Sequence, residues 1–139
     1  MPAAAPAEYI IFGFPTNQFD GTMAPALADL VEKGLIRVRD LLFILKDADG
    51  NVAAVEIDEV DELKPFLDVK GEAGGLLTEE DVAHAAEALQ PNTSAALLIW
   101  EDLWAADFAA AVRNNGGVVL EGGRIPYWLW QAALAQGED

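Results

Sequence analysis

The residues that could do chemistry are few. The chain has 139 residues, with one histidine (His84), one serine (Ser94) and no cysteine. Thiol catalysis and cysteine-ligated metal are therefore excluded. Asp47, Asp49 and Asn51 match the first three ligand spacings of a calcium loop. Such a loop also needs glycine at its sixth position and a bidentate glutamate at its twelfth. Here those positions hold Val52 and Asp58. A hairpin turn explains the stretch better, because Asp bonds local N–H groups and Gly50 accepts a positive φ. Asp81, His84 and Glu87 would share one helix face. Carboxylate-bridged metal pairs need Glu-x-x-His twice, so a partly exposed surface histidine is expected. Ser94 lacks the glycines of a nucleophile elbow and reads as the start of a strand. The glycines at 71–75 are interleaved with acid and lack the lysine of a phosphate loop. No residue set calls for a cofactor or a metal, and no enzyme activity is expected.

Charge narrows the partners. Eight Lys and Arg against 24 Asp and Glu give a net charge of −16. Binding to nucleic acid rests on Lys and Arg neutralising phosphates, and the basic residues here are scattered among acids. Nucleic acid is rejected as a partner, and anionic membranes are disfavoured on the same ground. Residues 56–81 hold ten acids and two lysines, a net of −8 and half of the excess. That stretch reads as a solvated face. The sharper alternative is a small-ligand or divalent-metal site on 56–81. Residues 1–7 carry neither the positive nor the apolar region of a signal peptide. They are expected to be a disordered lead-in to a single domain over 8–139. No apolar run reaches the ~18 residues of a membrane helix, and a cytoplasmic location is expected.

The elements that would position these residues follow from periodicity. Residues 9–14 (YIIFGF) form an apolar, β-branched strand, and Gly13 inside it suggests close backbone approach or a bulge. Pro25 suits the first turn of a helix that buries Leu27, Leu30 and Val31 and ends at Gly34. Strands follow at 38–46 and 52–60. In the second of these, Val55 and Ile57 alternate with Glu56 and Asp58, leaving one wet face. Residues 61–77 are irregular, with a short helix at 62–67. Thr78 and Asp81 have the spacing of a capping box before a helix bearing Val82, Ala85, Ala86 and Leu89. A fully apolar strand occupies 94–100. A helix at 103–113 turns Trp104, Phe108 and Val112 to one side, and a fifth strand begins at 118–120. The final helix covers 127–136.

The order β-α-β-β-α-β predicts an α+β fold of the ferredoxin-like split βαβ type, extended by a further α-β-α. Helices would cover one face of a mainly antiparallel sheet. Residues 9–45 and 95–121 would be two similar β-α-β halves. The strands are too apolar for the other face to stay wet, which leans toward self-association.

The last helix is the oddity. Tyr127, Trp128, Leu129 and Trp130 are consecutive, with Leu134 one turn on. At 100° per residue they point in different directions, so one packed face cannot hide them all. Large exposed aromatics mark interfaces. Burying the three rings contributes about 5–9 kcal/mol, while association costs about 4–15 kcal/mol. The patch can anchor an interface without completing it. Two other outcomes stay open: the rings curl onto their own sheet, or they line a small-ligand pocket.

Three stretches, residues 36–61 (IRVRDLLFILKDADGNVAAVEIDEVD), 74–105 (GGLLTEEDVAHAAEALQPNTSAALLIWEDLWA) and 116–126 (GGVVLEGGRIP), resemble the bacterial domain of unknown function 6325, related to domain 1269. The resemblance covers roughly residues 8–126 and brings no assigned activity. After Ile125 and Pro126 such proteins continue with a small-residue helix, where this chain has Tyr127-Trp-Leu-Trp130. Gly13 stands where a polar residue is expected. Natural divergence or an engineered interface would each account for this. The expectation is a non-enzymatic, self-associating scaffold or assembly subunit. Its partner is a second copy or a designed partner chain, met through Tyr127, Trp128, Leu129, Trp130 and Leu134. An enzyme whose site forms at a subunit interface is the weakest alternative, resting on analogy of fold alone.

Overall fold

Four strands and five α-helices follow one another in the computed structural model, which describes residues 5–16, 19, 21–55, 57–71 and 73–137. The strands are β1 (Ala7–Phe14), β2 (Ile36–Lys46), β3 (Val52–Val55) and β4 (Thr93–Asp102). The helices are α1 (Met23–Glu32), α2 (Phe66–Lys70), α3 (Glu79–Glu87), α4 (Ala106–Asn114) and α5 (Tyr127–Gly137). The strands form one antiparallel sheet in the order β1-β4-β2-β3. The fold is α+β, in keeping with a ferredoxin-like arrangement.

β2 and β4 are the central strands, and both are apolar on both sides. On one face Ile36, Val38, Leu41 and Phe43 meet Ala24 and Leu27 of α1 and Phe66 of α2. Phe14, Phe19, Phe43 and Phe66 run through this side as a chain of rings 5.2–5.6 Å apart. On the other face Ile44, Ala95 and Leu97 meet Ala85 and Ala86 of α3. The expectation of helices on one face alone is thus corrected. Strands with two apolar faces need cover on both, and the chain supplies it by crossing from one face to the other between α2 and α3.

Asp40 holds that crossing. A register shift between Val38 and Asp40 breaks the regular alternation of β2. The Asp40 side chain is buried and accepts N–H bonds from Leu76 at 2.8 Å, Leu77 at 2.7 Å and Leu41 at 2.8 Å. A buried carboxylate needs such donors. Lys46 then closes the far end of α3, donating from Nζ to the carbonyls of Ala86 and Leu89 at 3.1 and 3.0 Å. A cation suits that end of a helix. The capping box forms as the spacing predicts, with Thr78 and Asp81 bonding each other's backbone N–H.

Several local expectations are corrected. β3 stops at Val55 and gives way to a 3-10 turn at Ile57–Glu59; Glu56 lies outside the described residues. The fifth strand at 118–120 does not form, and Val119 and Leu120 are 85% and 93% exposed. Four residues between the pairs Gly116-Gly117 and Gly122-Gly123 gain too little pairing to offset glycine's conformational entropy. The half at 95–121 therefore lacks its closing strand. Trp104 and Phe108, expected on one side of a single helix, are both exposed, and α4 buries no residue. Residues 5–7, expected within the lead-in, are ordered: Ala5 is buried, the Pro6 carbonyl accepts the Asp102 N–H at 2.6 Å and Ala7 opens β1. Residues 1–4 lie outside the described part. Gly13 makes neither a bulge nor a close approach, since β1 pairs with β4 in unbroken register and a Cβ at Gly13 would meet nothing within 4 Å.

Candidate functional site

The five residues singled out in the last helix lie together on α5. Pro126 precedes the helix, and its carbonyl accepts the Trp130 N–H at 2.9 Å to close the first turn. One turn on, Gln131 Nε2 donates to the Tyr127 hydroxyl at 3.0 Å. Local geometry thus makes the helix, while packing contributes nothing: every residue of Tyr127–Gly137 is exposed. Tyr127 and Trp128 are 75% and 70% exposed, and Leu129, Trp130 and Leu134 stand about half exposed. The rings do not curl onto their own sheet. Nor, among the described residues, do they line either of the grooves beside β1. No residue of the helix carries a charge.

Arg124 ties the arm leading to α5 to the sheet. The Arg124 guanidinium lies 5.9 Å from the centre of the Trp100 ring and 3.5 Å from the Glu8 carboxylate. Cations are drawn to indole faces at such distances. Trp100 Nε1 also donates to Glu8 at 3.0 Å. That bond, above all, holds the Glu8 carboxyl below its ordinary 4.5, with further help from Asp102 and Arg124. Asp102 behaves oppositely. Burial first, then the bond and charge of Glu8, push it above 3.8. The two shifts are opposite, so as pH falls Asp102 takes up a proton before Glu8, and Glu8 keeps its charge beside Arg124 to lower pH. Sequence reading misses this seat, because only the pairing of Glu8 with Trp100 across β1 and β4 brings its members together.

Two grooves flank β1. The one beside α1 has a volume of about 290 Å³ and is lined by Phe12, Phe14, Leu27, Leu30 and Trp100 among other apolar residues. The one beside α3 has about 220 Å³ and is lined by Tyr9, Ile11, Asp81, His84 and Ile99. His84 thus faces a shallow apolar surface. Asp81 beside it is occupied by the N–H and hydroxyl of Thr78 at 2.8 and 3.0 Å.

The other candidates hold structural posts. Ser94 is fully buried and donates to the Thr16 carbonyl at 2.7 Å. Asp47 accepts the N–H groups of Asp49 and Asn51 at 2.9 Å, as a hairpin turn requires, and Gly50 has φ 87°. The Asn51 backbone bond is the main cause that holds the Asp47 carboxyl below 3.8. Glu56 and Glu72 of the acidic stretch lie outside the described residues. Among the described residues no cluster of three His, Asp or Glu could hold a metal ion. Likewise, no described helix is long and apolar enough to cross a membrane.

A family model, described as "Family of unknown function (DUF6325)", matches residues 3–136. No curated protein and no solved structure matches the chain. The chain belongs to the DUF6325 family.

Proposed function

We propose that this DUF6325 member is a non-enzymatic, self-associating protein, a scaffold or assembly subunit whose anchor is α5. One observation carries the reading: an uncharged helix with two tryptophans buries none of its residues among the described part of the chain. Leaving those rings in water forgoes about 1.5–3 kcal/mol for each that a partner would bury. The partner's chemistry follows from charge. Two copies at −16 each repel one another, so their contact must run through charge-poor surface, and α5 is such a surface. A closed symmetric homo-oligomer is the simplest product; an engineered assembly would use the same helix.

Sedimentation velocity at micromolar concentration tests this. The wild-type chain is expected to sediment as an oligomer. Trp128→Ala with Trp130→Ala is expected to move it toward the monomer with an unchanged circular dichroism spectrum. A wild-type monomer, or an oligomer indifferent to both changes, rejects the reading.

A further inference from the structure

The sheet has two edges, and they are treated differently. β3 is four residues long, and a 3-10 helix lies at Ile57–Glu59. β1 is eight residues long, lies at the opposite edge, contains no proline and pairs without a bulge. Among the described residues, no backbone group outside β4 bonds to residues 7–14. Its single charge, Glu8, is already engaged by Trp100 and Arg124. Proteins normally blunt such an edge with charge, proline, a bulge or a cover. Here Ile11 and Phe12 are exposed and Tyr9 is 72% exposed.

Gly13 supplies the second observation. Its backbone is not in the left-handed region, and nothing lies within 4 Å of the place its Cβ would take. Neither torsion nor crowding within this chain calls for glycine. A glycine inside a strand nevertheless costs about 0.5–1 kcal/mol relative to alanine. Gly13 and Tyr9 are four residues apart, so they lie on the same face of the strand. If β1 met a second β1 antiparallel about a two-fold axis at Ile11, residue 9 of each copy would stand opposite residue 13 of the other. Each tyrosine ring would then lie over the other copy's glycine, a known way to restore a glycine's lost packing in a sheet.

We propose that β1 pairs with β1 of a second copy in this register, joining two four-stranded sheets into one of eight strands. Ile11 meets itself across the axis, and Ile10 meets Phe12 of the other copy. The stretch from Tyr9 to Phe14 carries no charge, which lets two acidic chains approach there. The pairing also supplies contact that the α5 rings cannot provide alone. The inference rests on the self-association reading but not on α5.

The chain has no cysteine, so Ile11→Cys introduces a single thiol. With oxidised glutathione as the electron acceptor, Ile11→Cys is expected to give a disulfide-linked dimer on a non-reducing gel. Tyr9→Cys and Gly13→Cys alone should not, because like residues then sit four positions apart, about 13 Å. A swap tests the register without thiols. Tyr9→Gly and Gly13→Tyr are each expected to weaken the dimer about tenfold or more, close to 1.4 kcal/mol, and the double variant to regain it. Both positions are exposed, so folding is checked by circular dichroism and should persist.

Failure of Ile11→Cys to cross-link, equal cross-linking by all three cysteines, or a double variant no better than the singles overturns the proposal. The full chain carrying Trp128→Ala and Trp130→Ala separates the two readings. Cross-linking through Ile11→Cys in that background supports β1 pairing even where α5 proves idle. A loss of mass on changing the tryptophans without any Ile11→Cys cross-link keeps α5 and rejects β1.

Discussion

Trp100 and Trp128 are the same residue in opposite circumstances. Trp100 sits on β4, half-buried beside the main core, with its indole N–H on Glu8 and the Arg124 guanidinium near its ring. Trp128 sits on α5, 70% exposed, in a helix that buries none of its residues. The contrast extends to their surroundings. α1 places Ala24 and Leu27 on one buried stripe, whereas α5 spreads its apolar residues around the whole helix. A stripe specifies a single neighbour and finds it within the chain. An apolar helix with no stripe specifies none, so its burial depends on something outside the domain.

The largest break in this comparison is a hole in the packed half. Phe43 is 1% exposed and lies between Phe19 and Phe66. Phe43→Ala is expected to cost about 3–5 kcal/mol, since the ring's transfer energy is lost and a cavity remains. Urea unfolding measures this. A cost below about 1 kcal/mol would mean that the two halves differ less than their burial indicates.

Asp40→Ala comes next. It strands the N–H groups of Leu41, Leu76 and Leu77 and should cost about 2–3 kcal/mol, because water can reach part of the 76–77 segment. Amide exchange should accelerate at Leu76 and Leu77 before it does at Phe43. Uniform acceleration would show that the carboxylate serves the whole sheet rather than the crossing.

What the sequence made legible follows the same division. Local chemistry could be read: the Asp47 turn, the Thr78 cap, and strand cores close to their observed positions. Each depends on neighbours a few residues apart. Asp40 was not legible, because its partners lie 36 and 37 residues away and its role arises only where β2 breaks register. The position of α3 on the far face was hidden likewise, since a hydrophobic stripe says that a helix packs but not on which side. Val118 to Leu120 misled for the opposite reason: their β-branched pattern is right, but no neighbouring strand takes them up. Tyr127, Trp128, Leu129, Trp130 and Leu134 stand out in the sequence as more apolar surface than one helix face can hide, and all five are exposed on α5.

The seat of the arm gives a smaller, pH-dependent effect. Asp102 is raised above 3.8 by burial and by Glu8. Its stabilising contribution is therefore complete below 3.8 and drains away as pH rises through the raised value. Glu8, held below 4.5, contributes above 4.5 and loses that contribution as pH falls through its lowered value. Asp102→Asn keeps a neutral donor beside Glu8 at every pH. Relative to wild type, this variant should gain melting temperature as pH rises above 3.8 and through the raised value of Asp102. A difference independent of pH would show that Asp102 does not carry the proton.

The smallest expected effect discriminates most. Trp128→Ala and Trp130→Ala remove two large rings, yet at high dilution the unfolding free energy should change by less than about 0.5 kcal/mol, as for surface positions. The same change in Phe43 is severe because its ring has neighbours to lose. Raising the protein concentration should separate the two chains. An association that favours the folded form makes the wild-type melting temperature climb with concentration, while the double variant stays flat or climbs less. If the double variant instead loses several kcal/mol at high dilution, the rings pack within one chain, and α5 belongs to the same class as α1. If both chains climb alike, the tryptophans are bystanders and any oligomer is held by another surface, of which the open edge of β1 is the first to examine.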